Sequence, residues 1–322
     1  MSELDKTSAC RMIEYPCKYD RSLQKALILP AEGKDPRPLL VALHTWSFSC
    51  DSHFEGYEKA AAEYNWHMIF PEFRGPNWTL DACGSDAVVS DIEDAVAYMK
   101  GSFNVDPDRV YLVGGSGGGH ASLLLAGRRP DLFTAVSSWC PISDIARWHG
   151  ECKKAGRDYF RHIEMVCGGD PVSVPSAARE ALIRSPRTWL VNAARRKTPV
   201  VDISTGIHDG HTGSVPIGHA IRAYNEIAAP EDRISEDDIM YMEEHEEVPA
   251  HLKAAEGDPA YGSHTVYLRK QSGNVRLTIF EGGHDRLPDT AAEWLARQAA
   301  GKAPDFRPGA PVEQSGDTAL SK

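Results

Sequence analysis

Val110-Tyr111-Leu112-Val113-Gly114-Gly115-Ser116-Gly117-Gly118-Gly119-His120-Ala121-Ser122-Leu123-Leu124-Leu125 decides how the rest of the chain is read. A short apolar, β-branched run enters a glycine-packed turn, and a helix pattern leaves it. The turn holds Gly114-x-Ser116-x-Gly118. A serine set between a buried strand and a helix forms a nucleophile elbow, a turn so tight that its flanking positions must lack bulk. The elbow lifts the Ser116 hydroxyl above the sheet edge. It also aims the Gly117 N–H and the helix N-terminus at one spot, where negative charge is stabilised. Blander readings fit less well. A flexible tether needs room, and apolar runs abut the turn on both sides. A phosphate loop ends Gly-Lys-Ser/Thr, and this one ends Gly-Gly-His. The third glycine of a dinucleotide fingerprint falls on His120.

The 322 residues suffice for one large α/β domain or two small ones. Hydrophobic content of 42% and charged content of 25% are ordinary for a globular chain. A net charge of −11 without a basic run argues against nucleic acid and anionic membrane as partners. No apolar stretch approaches the length of a membrane span. The N-terminus lacks a signal pattern, which suits a cytoplasmic chain, or a secreted one whose signal has been trimmed. The seven cysteines are widely spaced and form no Cys-x-x-Cys pair, so buried thiols are expected. Cys50 and Cys83, both placed on loops at one sheet edge, are a candidate disulfide.

Outward from the elbow, strands alternate with helices. Strands are expected at Met12–Tyr19, Gln24–Pro30, Leu39–His44, Trp66–Phe70, Phe133–Trp139, Pro199–Gly206, Thr265–Lys270 and Val275–Phe280, with helices at Phe54–Tyr64, Asp86–Lys100, Val215–Ala228 and Ala291–Ala299. Leu39–His44 is continuously apolar, the mark of a strand buried on both faces. The alternation implies a mostly parallel central sheet with helices on both faces. One α/β domain over residues 1–300 is expected, with a cap-like insertion at about 146–198 and a polar, acidic one at about 231–264. Residues 301–322, rich in Pro, Gly and Asp, read as a flexible tail.

A serine hydroxyl is a weak nucleophile. It needs a neutral imidazole to take its proton and a carboxylate to orient that imidazole. Among 13 histidines, His284 follows a strand and a Gly-Gly turn and precedes a helix. For the acid, Asp209 lies in the loop directly after the strand ending Thr205-Gly206, and Asp144, one strand earlier, is the alternative. Asp202 lies inside its strand. His208 and His211 flank Asp209, but neighbours on a tight loop rarely converge on one ion, so no metal and no cofactor is expected. His120 reads as a packing residue. After the first apolar strand, His44-Thr45-Trp46-Ser47 supplies a second oxyanion donor, from the Trp46 or the Thr45 N–H. Trp46, Trp78, Trp139 and Trp148 are candidate pocket walls, or core.

Gly-Gly-Ser-Gly-Gly-Gly-His, then Ile-His-Asp-Gly-His-Thr-Gly-Ser-Val-Pro, then Phe-Glu-Gly-Gly-His together resemble the catalytic domain of the prolyl-oligopeptidase-like branch of α/β-hydrolases, which includes acetylxylan and feruloyl esterases. The resemblance spans roughly residues 24–300. It implies the α/β-hydrolase fold, with Ser116 as nucleophile, Asp209 as acid and His284 as base. The oxyanion loop departs from the family's His-Gly-x, and Asp209 stands farther from Val215-Pro216 than is usual. Too few residues precede Leu39 for the family's β-propeller, which tilts the expected substrate from peptide to carboxylic ester. The expected activity is a serine carboxylesterase acting on a small-molecule or oligosaccharide ester, with a peptidase or amidase as the alternative. A non-catalytic binding protein on the same fold is a further rival. Nothing in the sequence fixes the oligomeric state.

Overall fold

The computed structural model describes residues 10–52, 55–253 and 257–312. Its sheet is built on β3 (Arg37–Leu43) and β5 (Val105–Gly115). On β3, Leu39, Val41 and Leu43 join one buried cluster while Leu40 and Ala42 join another. On β5, Val110 and Leu112 divide from Tyr111 and Val113 in the same way. Alternate side chains of a strand point to opposite faces, so a strand apolar at every position must be covered on both.

The remaining strands are β1 (Arg11–Pro16), β2 (Leu23–Leu29), β4 (His67–Pro71), β6 (Ala135–Trp139), β7 (Val200–Gly206), β8 (Val266–Ser272) and β9 (Val275–Phe280). They order as β1-β2-β4-β3-β5-β6-β7-β9-β8. Every pairing from β4 through β9 is parallel; β1, β2 and β8 run antiparallel at the two edges. This is the mostly parallel sheet expected from the alternation of elements.

Helices α2 (Asp86–Ser102), α3 (Gly117–Arg128), α8 (Gly218–Ile227) and α9 (Glu236–His245) pack on one face. Helices α1 (Glu55–Glu63) and α10 (Pro288–Ala296) pack on the other. Between β6 and β7 come α4 (Ile145–Lys154), α5 (Tyr159–Cys167), α6 (Pro175–Arg184) and α7 (Val191–Arg196). The first three of these build a separate apolar cluster around Ile145, Trp148, Ile163, Val166 and Ala177, which also takes in Trp46 and Val215. Among the described residues no helix is long and apolar enough to cross a membrane.

Three expectations change. Helix α8 starts at Gly218 rather than at Val215, because Val215 precedes Pro216 and is biased away from the helical region. No disulfide joins Cys50 and Cys83; the two lie in different apolar clusters, Cys83 in the one that holds Trp46. Residues 301–312 are not a loose tail. Asp305 O accepts from Trp294 Nε1 at 3.0 Å, the Gly309 N–H donates to Asp258 at 2.7 Å, and Phe306 stacks on Trp294 with centroids 6.3 Å apart. Residues 313–322 lie outside the described residues. Asp202, predicted inside its strand, is buried there and paired with Arg276 at 2.7 Å.

Candidate active site

Ser116 stands between β5 and α3 at φ 57°, ψ −118°. A non-glycine residue tolerates this region only when its surroundings impose it. The glycines around it show the cause. A Cβ on Gly114 would collide with Gly118 O, and one on Gly118 with Leu43 O. Strand and helix therefore close to backbone contact, and the chain must reverse within Ser116 itself. The Ser116 N–H donates to Trp139 O at 2.9 Å, fastening the elbow to β6.

The other two motifs follow β7 and β9, at the same C-terminal rim. Asp209 is buried, and its Oδ2 accepts from His284 Nδ1 at 2.7 Å. Its Oδ1 accepts from the N–H groups of Gly210, at 2.9 Å, and Val215. Because a carboxylate can only accept, His284 carries its proton on Nδ1 and presents a lone pair on Nε2. That Nε2 is buried and makes no hydrogen bond among the described residues. The longer loop after Asp209 returns so closely that a Cβ on Gly213 would strike both Asp209 Oδ1 and the His284 side chain. The two loops are also joined through backbone: the Ile207 N–H donates to Phe280 O at 2.9 Å and the His208 N–H to Gly282 O at 3.0 Å. A Cβ on Gly115, beside Ser116, would overlap Arg286, two residues past His284. Serine turn and histidine loop are thus in contact.

Asp144 stands elsewhere. Its Oδ1 caps α4 through the Arg147 N–H at 3.0 Å, and its Oδ2 pairs with Arg187 at 2.9 Å. The alternative acid is a helix cap. His208 is held by Glu246 and Glu281, and His211 reaches Glu243 O at 2.7 Å, so neither turns toward Asp209's partner. His120 is buried beneath the elbow and donates from Nε2 to Arg184 O at 2.7 Å; burial holds its pKa down at about 4.

On the oxyanion side, a Cβ on Gly117 would overlap Trp46 N, and it would lie 3.0 Å from the Thr45 carbonyl carbon. The Trp46 N–H therefore lies nearest to Gly117. Among the described residues no carbonyl accepts from the Trp46 or the Gly117 N–H. The peptide that carries the Trp46 N–H is held at its carbonyl, where Thr45 O accepts from His44 Nδ1 at 2.9 Å and from the Phe48 N–H at 3.3 Å; in the next peptide Trp46 O accepts from the Asn77 N–H at 2.8 Å, and Asn77 Oδ1 accepts from the Cys83 N–H at 2.8 Å.

Of the four candidate wall tryptophans, Trp139 is corrected. It is 0% exposed, lies under the sheet against Tyr261 and Phe280, and donates to Ser137 Oγ, so it belongs to the core. Trp148 is 1% exposed; it packs edge-on to Trp46 at 4.7 Å and stacks on Tyr159 at 5.1 Å. Trp46, 2% exposed, is closed off with it, so the side chains of both are corrected from pocket wall to the core of the cap. Trp78 is partly exposed and faces His162 at 5.1 Å.

Asn77, Cys140 and His162 were not singled out from sequence. Cys140 Sγ lies 3.2 Å from Asp285 O, and burial, reinforced by the charge of Asp209, pushes its pKa well up, so it stays a thiol. Each of the three acts through a tertiary contact, and nothing local in the sequence marks them.

The sequence profile of the prolyl oligopeptidase family matches residues 74–174, which include the elbow. The chain has the α/β-hydrolase fold, and around the elbow it is similar to the prolyl oligopeptidase family. This α/β-hydrolase is 26% identical over 127 residues to feruloyl esterase B of Talaromyces funiculosus, covering 37% of this chain and 36% of that protein. It is 22% identical over 284 residues to an acetylxylan esterase of Coprinopsis cinerea, covering 83% of this chain and 66% of that one. Among solved structures, it resembles the acylaminoacyl peptidase of Pyrococcus horikoshii with a TM-score of 0.59 at 13% identity, over 90% of this chain and 41% of that one. Prolyl oligopeptidase B from Galerina marginata gives 0.54 at 17%, over 70% and 32%. The α/β-hydrolase thus matches between about a third and two thirds of the length of these relatives.

Proposed function

We propose that this protein is a serine hydrolase that cleaves carboxylic esters through an acyl-enzyme, with Ser116 as nucleophile, His284 as base and Asp209 as acid. The observation that carries the reading is the 2.7 Å bond from His284 Nδ1 to Asp209, made at the rim where the strained elbow presents Ser116. It fixes the imidazole tautomer that can accept a proton on Nε2.

In the first half-reaction Ser116 Oγ bonds to the ester carbonyl carbon as its proton passes to His284 Nε2. The charge that develops on the carbonyl oxygen is met by the N–H groups of Gly117 and Trp46. The tetrahedral adduct collapses, the bond to the alcohol oxygen breaks, and His284 returns the proton to the departing alcohol. Water then attacks the acyl group by the same route and restores Ser116. Asp209, fully engaged by three donors, holds the imidazolium between transfers. The names of the relatives point to an acetylated or feruloylated carbohydrate, or a similar small ester.

The test is a panel of acyl p-nitrophenyl esters and acylated xylo-oligosaccharides on wild type and Ser116→Ala, with labelling by a fluorophosphonate. The expected result is ester turnover and labelling in wild type, and loss of both in Ser116→Ala. Fast cleavage of an aminoacyl p-nitroanilide with negligible ester turnover would replace the esterase reading by a peptidase one. Absence of both labelling and turnover would make the protein a non-catalytic member of its fold.

A further inference from the structure

The cap and the oxyanion loop meet at one hydrogen bond. Trp46 Nε1 donates to His162 Nδ1, on α5, at 3.2 Å. Trp46 is the residue whose backbone N–H abuts Gly117. Its indole is 2% exposed, wedged edge-on against Trp148 at 4.7 Å and against Tyr159 at 6.4 Å. Packing fixes where that ring lies, and its one polar atom must still find a partner. A single polar contact ties it to the cap, because an indole N–H shut away from water needs an acceptor. His162 supplies it, and its own ring is braced by Trp78 at 5.1 Å and Tyr159 at 5.9 Å. The histidine can play this part only as a neutral ring with a lone pair on Nδ1. Burial pushes its pKa below the ordinary value, which favours that form.

We infer that His162 is a positioning residue for the oxyanion donor: by accepting from the Trp46 indole it anchors the Trp46 side chain, and with it the Cα end of the peptide whose other end is held at Thr45 O, and so couples the cap to the rate of acyl transfer. The inference rests on the serine-hydrolase reading above. It gives the departure at Thr45-Trp46 a purpose. Where a glycine would leave the second N–H to the loop's own stiffness, a large side chain anchored in the cap orients it from outside. The donor on the Gly117 side needs no such help, because the elbow is fixed by backbone contact on both flanks. The effect belongs in the transition state. The ground-state carbonyl needs little from this donor and the developing oxyanion needs much.

The experiment compares His162→Phe, which keeps a ring and loses the acceptor, with His162→Asn, whose amide oxygen can stand near the Nδ1 position. Steady-state constants are measured on a p-nitrophenyl ester for which wild type is active and Ser116→Ala is not. The expected result is a fall in kcat of about tenfold or more in His162→Phe, with KM changed less than about threefold, and recovery of most of the loss in His162→Asn. Trp46→Phe, which removes the indole donor and keeps an aromatic ring, should reproduce the loss, and combining it with His162→Phe should add little, as expected for one shared interaction. Unchanged kcat in His162→Phe, a rise confined to KM, or additive losses in the double variant would overturn the inference. If His162→Phe fails to fold, Trp46→Phe against Trp46→Phe/His162→Asn decides: equal kcat supports the coupling, and a further drop overturns it. Activity surviving in Ser116→Ala would instead overturn the serine-hydrolase reading, whatever the His162 variants do.

Discussion

Ser116 is placed by four glycines and a carbonyl rather than by its own preferences. A residue at φ 57°, ψ −118° costs of order 1–3 kcal/mol, and the close approach of Gly114 to Gly118 and of Gly118 to β3 supplies the constraint. The three candidate triad members were legible in the sequence because each follows a strand within a glycine-rich turn, a pattern that is local. The supports of the oxyanion side were not. Asn77 and His162 gain their roles from contact with Trp46, 31 and 116 positions away in sequence. The choice between Asp209 and Asp144 becomes testable at this scale. Asp209→Asn should lower kcat by about 10⁴-fold, as loss of the proper imidazole tautomer does in a Ser-His-Asp triad. KM and the unfolding midpoint should move little, and steady-state kinetics beside thermal denaturation check both.

Elements were more legible than their ends. Strand positions followed from apolar runs, and the hairpin of β8 and β9 from the polar Gln271-Ser272-Gly273-Asn274 between them. Boundaries slipped where a proline restricts the residue before it, as at Val215-Pro216. The cap was visible as a gap between two strands, but its partner was not, since the cluster it builds borrows Trp46 from one loop and Val215 from another. Within it, α4 begins at the Asp144 cap. Asp144→Ala should therefore cost about 1 kcal/mol of stability, the usual worth of an N-cap. The pair with Arg187, itself two-fifths exposed, adds little. Because the Asp144 carboxylate bonds to Arg147 and Arg187 and not to the candidate triad, kcat should stay within about twofold of wild type. Chemical denaturation with an activity assay distinguishes this helix-cap role from that of a catalytic acid.

For the molecule as a whole, the two apolar layers above and below the sheet carry the fold, and they enclose a few groups that titrate. His120 is one. Its pKa of about 4 in the native state lies below the ordinary histidine value of 6.5, so between those values the unfolded chain binds the proton and the native one does not. Stability is complete above pH 6.5, falls as pH drops toward about 4, and loses nothing further to this group below it; the difference is about 3 kcal/mol. His120→Gln, which retains a donor for Arg184 O and removes the titration, should flatten the dependence of unfolding free energy on pH over that interval, as measured by urea melts at pH 4.5, 5.5 and 7. The segment at 305–310 was misread from composition, because Pro, Gly and Asp mark irregular backbone and say nothing of what that backbone touches. Its contacts with Trp294, Glu293 and Asp258 work as a clasp between α10 and the turn at Asp258–Tyr261. A carrier protein grafted directly after α10 would sever that clasp, whereas one attached past Val312 would leave it shut.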